Sequence, residues 1–240
     1  MLVDSSALPE QVTRDVLASA FQSAGQRCSA LRVLYLQDDV VETMLEMIRG
    51  GMETLTIGDP EQLETDVGPV IDAEAKKNLL DHIVRMKKAR RNVWQRKLPS
   101  TCRIGLFVPP TIIEIDSISD LDRENFGPVL HVARFAGDRL EATIDQINRI
   151  GYGLTLGLHS RIDATRERVQ ARARVGNLYV NRNQIGAVVE SQPFGGEGLS
   201  GTGPKAGGPN YVARFATERV VCIDTTAAGG NASLMAGEVG

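Results

Sequence analysis

Short runs of aliphatic and β-branched residues alternate with amphipathic stretches along most of this chain, and few folds accommodate that order. Leu31 to Leu36, Val129 to Phe135, Leu154 to His159 and Asn177 to Val180 have the length and residue types of buried strands. Leu8 to Ala24, Asp38 to Arg49, Asp72 to Lys97, Leu140 to Ile150 and Ala164 to Val175 read as helices. The alternation predicts an α/β fold, a largely parallel open sheet flanked by helices. Pro9 suits a first helical turn capped by Ser6, and Gly25 and Gly50-Gly51 are placed to end the first two helices. Leu106 to Ile115 carries Pro109-Pro110, which makes it an interrupted or edge strand. Glu218 to Asp224 reads as a last β-like segment, and a tail of small residues follows from 225 to 240.

Composition narrows the class of function. The chain has 240 residues, 42% of them hydrophobic, enough to build a core and too many for a disordered state. No apolar run approaches the roughly 18 residues of a membrane helix, so no span is expected. Lys and Arg number 27 against 30 Asp and Glu, a net charge of -3 that gives no footprint for nucleic acid. The basic run Lys87, Lys88, Arg90, Arg91, Arg96 and Lys97 therefore reads as a solvated helix face. Three widely spaced cysteines, Cys28, Cys102 and Cys222, do not make a disulfide framework, and with no leader at Met1-Leu2-Val3-Asp4 a cytoplasmic protein is expected. His82, His131 and His159 lack metal-ligand spacing, so no metal is expected.

Three features have the makings of a site. Cys28 sits in a polar turn between a helix and a buried strand, with Arg27 beside it to favour a thiolate; the plainer alternative is a small buried hydrophobe. Cys102 and Cys222 lie among strand-like residues and read as structural. Glu124 and Phe126 precede a Gly-Pro turn that feeds a strand. A carboxylate there can accept both hydroxyls of a ribose and the ring can pack on a flat ligand, although an ordinary turn would look the same. Third, periodicity vanishes from Asn181 to Asn210. Gly196, Gly198 and Gly201 formally satisfy G-x-G-x-x-G, but no strand leads into them and Pro204 and Pro209 follow, so they do not read as a dinucleotide turn. They read instead as backbone wrapped closely around something. The amides of Gly186 and Ala187 are placed to face an anion such as a carboxylate.

Taken in order, Gly25-Gln26-Arg27-Cys28, Gly105 to Thr111, Glu124 to Val129, Tyr152-Gly153-Leu154, Gly176 to Asn181, and Gln192 to Gly196 with Ser200-Gly201 resemble the aldehyde dehydrogenase superfamily. The strings Gln26 to Arg32, Asn181-Arg182-Asn183, Gly198 to Pro209 and Asp224 to Asn231 resemble its glutamate γ-semialdehyde dehydrogenase branch, in the form found as the C-terminal region of bifunctional proline-catabolic proteins. The resemblance implies a catalytic domain over 1–224, with a tail over 225–240. It implies Cys28 as the nucleophile, with its own N–H on the oxyanion. Glu124 would hold the nicotinamide-side ribose of NAD, with Phe126 near the nicotinamide. Ser29, Gly186 and Ala187 would anchor the substrate α-carboxylate, and Phe194 would wall its aliphatic stem.

The same resemblance places the NAD-binding domain, a general-base glutamate and an oxyanion asparagine before Met1, and FAD in a proline dehydrogenase half that this chain lacks. The chain is then expected to be the C-terminal catalytic lobe of a larger protein, with an incomplete NAD site and little activity alone. Its expected partners are the small-molecule substrate, the NAD-binding domain in cis or trans, and further copies in a homo-oligomer. Two rivals stay open at this point: a non-catalytic remnant that acts only by assembly, and an aldehyde dehydrogenase of other substrate specificity.

Overall fold

The computed structural model describes residues 1–188 and 190–224. Seven strands form one twisted sheet: β1 (Leu2–Val3), β2 (Val33–Gln37), β3 (Val93–Gln95), β4 (Thr111–Glu114), β5 (Val129–Phe135), β7 (Thr155–His159) and β8 (Asn177–Val180). A separate antiparallel pair joins β6 (Tyr152–Gly153) to β9 (Glu197–Gly198). The large sheet runs β3-β4-β5-β2-β1-β7-β8, with every neighbouring pair parallel except β3 against β4. Parallel neighbours need crossovers, and five helices supply most of them: α1 (Pro9–Phe21), α2 (Val41–Thr54), α3 (Ala73–Lys88), α4 (Leu140–Arg149) and α5 (Asp163–Arg172). The expected α/β class is the observed one.

Strand β2 shows why the sheet holds. Val33, Leu34, Tyr35 and Leu36 are all buried, so both faces of the sheet are covered and an unbroken apolar run is needed in place of alternation. Tyr35 Oη accepts a hydrogen bond from the Ile118 N–H at 2.9 Å, which satisfies its one polar atom. Burying one such aliphatic side chain is worth roughly 1.5–3 kcal/mol.

Several boundaries differ from those expected, each for a physical reason. Helix α1 begins without a side-chain cap; Leu8 is its N-cap and Pro9 occupies the first turn. Helix α2 does not stop at Gly50-Gly51 but runs through both to Thr54. The expected helix to Lys97 ends at Lys88: Arg90 turns the backbone to φ 58°, and the chain returns as β3. Strand β1, fifth of the seven and set between β2 and β7, has only two residues, too few for any periodicity to betray it. Val220, Val221 and Ile223, in the expected last strand, lie exposed in irregular chain. The expected tail over 225–240 lies outside the described residues.

The glycine pair in α2 gives a direct stability test. Gly50 is exposed, and a Cβ there would meet nothing within 4 Å. Gly50→Ala should therefore stabilise the fold by about 0.5–1 kcal/mol through helix propensity and a less flexible unfolded chain. A higher urea midpoint at unchanged slope is the expected result; a lower midpoint would show that position 50 is not open.

Candidate active site

Adjacent parallel strands bring two loops together. β2 and β5 pair with Val33 opposite His131, so the segments that lead into them emerge at the same edge of the sheet. Cys28 lies on the first and Glu124 and Phe126 on the second, although nearly a hundred residues of sequence separate them (|i−j| = 92 for the Arg32–Glu124 contact).

The Cys28 loop is held in an unusual backbone. Ser23, Ala24 and Gly25 all adopt left-handed conformations, with φ of 55°, 52° and 63°. Such geometry costs roughly 1–2 kcal/mol for each residue that carries a Cβ, and it persists only where surroundings enforce it. Gly25 could not be otherwise: a Cβ there would lie 2.2 Å from the Gly127 carbonyl oxygen, on the loop of Glu124. Past this turn, the Ala30 N–H donates to Arg27 O at 3.1 Å, and Cys28 is presented, exposed, at the turn's tip. Gln26 fastens the loop from outside, donating to Pro69 O and accepting from the Ile71 N–H.

Arg32, just before β2, joins the two loops. Its Nη1 donates to Gly25 O at 2.6 Å and its Nη2 to Arg27 O at 3.1 Å. Its Nε donates to Glu124 Oε1 at 2.9 Å, and its guanidinium lies 4.4 Å from the Phe126 ring centroid. The side chain is only 14% exposed. Burial lowers its pKa, an effect opposed by the Glu124 carboxylate and by Cys28. Arg27, the expected thiolate partner, instead donates to Ser23 Oγ. Arg32 is the residue that sequence reasoning passed over. Its signal was a charged side chain placed directly before the fully apolar run Val33 to Leu36.

Cys28, Glu124 and Phe126 line one cavity of about 580 Å³, with Arg32, Tyr152, Gln184 and Ser200. Glu124 and Phe126 are about half exposed, so a carboxylate oxygen and a ring face remain available to a ligand. Ser29 is buried, and its carbonyl accepts from Gln184 Nε2 at 3.2 Å, tying the Cys28 turn to the 181–188 loop. Gly186 on that loop is exposed, with φ 71°. Ala187 beside it is half-buried. Phe194 pairs with Ala206 across a bridge. Ser29, Gly186, Ala187 and Phe194 do not line the cavity. The glycine-rich stretch wraps around the chain's own backbone: a Cβ on Gly176 would meet Gly195 O at 1.8 Å. No cluster of three metal-ligating side chains occurs among the described residues.

Behind Arg32 runs a buried hydrogen-bond relay. Arg85, paired with Asp122 through both nitrogens, also faces His82 Nδ1 at 3.1 Å; His82 Nε2 meets His131 Nε2 at 2.8 Å; His131 Nδ1 meets Arg32 O at 3.1 Å. Because Arg85 only donates and a carbonyl only accepts, every proton is fixed: His82 carries its hydrogen on Nε2, and His131 on Nδ1. Both rings are neutral. Burial and then Arg85 lower the His82 pKa to about 4. Burial and then His82 lower that of His131 to about 3.

The aldehyde dehydrogenase family profile matches residues 1–221. The chain belongs to the aldehyde dehydrogenase family. It is 58% identical over 224 residues to the bifunctional protein PutA of Klebsiella aerogenes, covering 91% of this chain and 17% of that protein. A crystal structure of a bifunctional proline utilization A protein superposes with a TM-score of 0.86 at 55% identity, over 95% of this chain and 23% of that one. A 1-pyrroline-5-carboxylate dehydrogenase from Thermus, solved with bound NAD, gives 0.80 at 34% identity, over 89% and 41%. The chain thus spans less than half the length of these aldehyde dehydrogenase relatives.

The relay makes this aldehyde dehydrogenase lobe acid-sensitive in a defined window. Unfolded histidines take up protons near pH 6.5, and the folded pair refuses them until about pH 4 or below. Stability should be complete above about pH 6.5 and fall as the pH drops toward 4, by up to about 2 kcal/mol per ring at pH 5. Urea titrations at the two pH values read this directly, and a His82→Gln chain should lose part of the drop. A midpoint independent of pH over that range would contradict neutral burial.

Proposed function

We propose that residues 1–224 form the catalytic domain of an NAD-linked dehydrogenase that oxidises glutamate γ-semialdehyde to glutamate in proline catabolism, with Cys28 as nucleophile. One observation carries the reading: an exposed cysteine, a half-exposed carboxylate and an open aromatic ring meet on one cavity, in a chain 58% identical to a PutA protein.

In this reading the Cys28 thiolate attacks the aldehyde carbon, and the carbonyl pair becomes an alkoxide held by the Cys28 N–H. NAD, when bound, supplies the hydride acceptor that turns the hemithioacetal into a thioester. Water then cleaves the thioester, returning the thiol and giving glutamate and a proton. Glu124 and Phe126 fit the ribose and nicotinamide side: Arg32 holds Oε1 and leaves Oε2 for a hydroxyl, and the ring is 43% exposed. The α-carboxylate is assigned to Ser29 and to the amides of Gly186 and Ala187, and the aliphatic stem to Phe194, by motif position.

Deacylation needs a base, and among the described residues that line the cavity no carboxylate is left without an arginine: Asp122 and Glu124 are each engaged by one. We infer that robust turnover needs an NAD-binding domain in cis or trans, and that FAD serves only a separate proline dehydrogenase half. The exposed apolar residues Tyr152 and Leu199 at the cavity mouth suit such a neighbour, and Val220 and Val221 suit further copies in a homo-oligomer.

Cysteine-resolved alkylation with iodoacetamide tests the reading. Cys222 is an exposed reference thiol and Cys102 a buried one. Cys28 should react at least about threefold faster than Cys222, as an activated thiol does beside an ordinary exposed one. Glutamate γ-semialdehyde should protect Cys28 better than a simple alkanal. Equal rates at Cys28 and Cys222 would favour a non-catalytic remnant, and equal protection by both aldehydes would favour another substrate.

A further inference from the structure

We propose that Arg32 is a positioning residue of this site: its guanidinium locks the nucleophile's turn to the cofactor-side carboxylate and is the cation that Cys28 and Glu124 share. The proposal rests on the reading of Cys28 as nucleophile.

The geometry demands arginine. Three nitrogens point in three directions, to Gly25 O, Arg27 O and Glu124 Oε1, while the planar face covers Phe126. Lysine, with one nitrogen and no plane, cannot make these contacts together. The carbonyls of Gly25 and Arg27 lie on the segment directly before Cys28, so the fork fixes the backbone from which the thiol projects. The main chain of Arg32 is pinned as well, its carbonyl accepting from both the N–H and the Nδ1–H of His131. The side chain thus projects from a fixed point through a space that leaves it 14% exposed.

Electrostatics makes the role testable apart from packing. Arg32 feels both Cys28 and Glu124. Whatever part of its charge Glu124 neutralises is lost to Cys28. Removing the arginine should therefore disfavour the thiolate, and removing the Glu124 charge should favour it. A merely structural arginine would change stability and leave the thiol's titration where it was.

The experiment is the rate of Cys28 alkylation against pH in the full 240-residue chain, in wild type, Arg32→Gln and Glu124→Gln. Cys102 reports folding by staying unreactive, and Cys222 reports reagent activity. In Arg32→Gln the Cys28 midpoint should move up. The thiolate fraction near neutral pH then falls by more than the added basicity returns in nucleophilicity, and the observed rate should fall about threefold. In Glu124→Gln the midpoint should move down. Midpoints that stay in place in both variants, or that shift together in one direction, overturn the proposal. If Arg32→Gln exposes Cys102, the Glu124→Gln shift alone decides. A wild-type Cys28 that titrates like Cys222 overturns the nucleophile reading and this role with it; a distinct Cys28 indifferent to both substitutions overturns this role alone.

Discussion

The parallel pairing of β2 with β5 is the constraint on which the site depends. It fixes Val33 opposite His131 and so sets the loops before each strand side by side. Everything chemical in the lobe follows from that adjacency: the Gly25 backbone packed on Gly127, the Arg32 fork between the loops, and the cavity that Cys28, Glu124 and Phe126 share. Magnitudes say which contacts matter most. A half-exposed ion pair such as Arg32–Glu124 is worth about 0–1 kcal/mol. Hydrogen bonds from a charged group to carbonyls contribute about 1.5–3 kcal/mol each. The carbonyls of Gly25 and Arg27 therefore hold the arginine, and the carboxylate is the partner it can most easily share with a ligand.

The relay through His82 and His131 belongs to the same construction. Two imidazoles buried among apolar side chains would cost stability if their protons were free to choose. Here an arginine at one end and a carbonyl at the other leave a single arrangement. It also connects α3 to the strand start that carries Arg32. The site is thereby braced through α3 and β5 by His82 and His131, which stand behind the contacts between Arg32 and Glu124.

Much of this was legible in the sequence. The long β5 and the edge strand β8 were readable to the residue, because short, mostly apolar runs such as Val129 to Phe135 follow directly on turn residues. Cys28, Glu124 and Phe126 stood out by motif. Strand β1 did not: two residues carry no period, and its place inside the sheet comes only from its partners β2 and β7. Gly50-Gly51 misled because a glycine pair resembles a stop, whereas apolar packing of Ile48 and Met52 carries the helix through it. Arg32 was hidden for a different reason. Two of the groups its fork holds are the backbone carbonyls of Gly25 and Arg27, and a carbonyl leaves no mark on a sequence.

The most direct test of the whole account is acylation of the chain by an activated ester such as p-nitrophenyl acetate. A nucleophile whose neighbouring cavity carboxylates are both held by arginines should give a burst of about one phenol per chain, slow turnover afterwards, and an acetyl group found by mass spectrometry on Cys28. Cys28→Ala should abolish both burst and adduct. A folded chain that gives no burst, or that carries as much acetyl on Cys222 as on Cys28, would contradict the account.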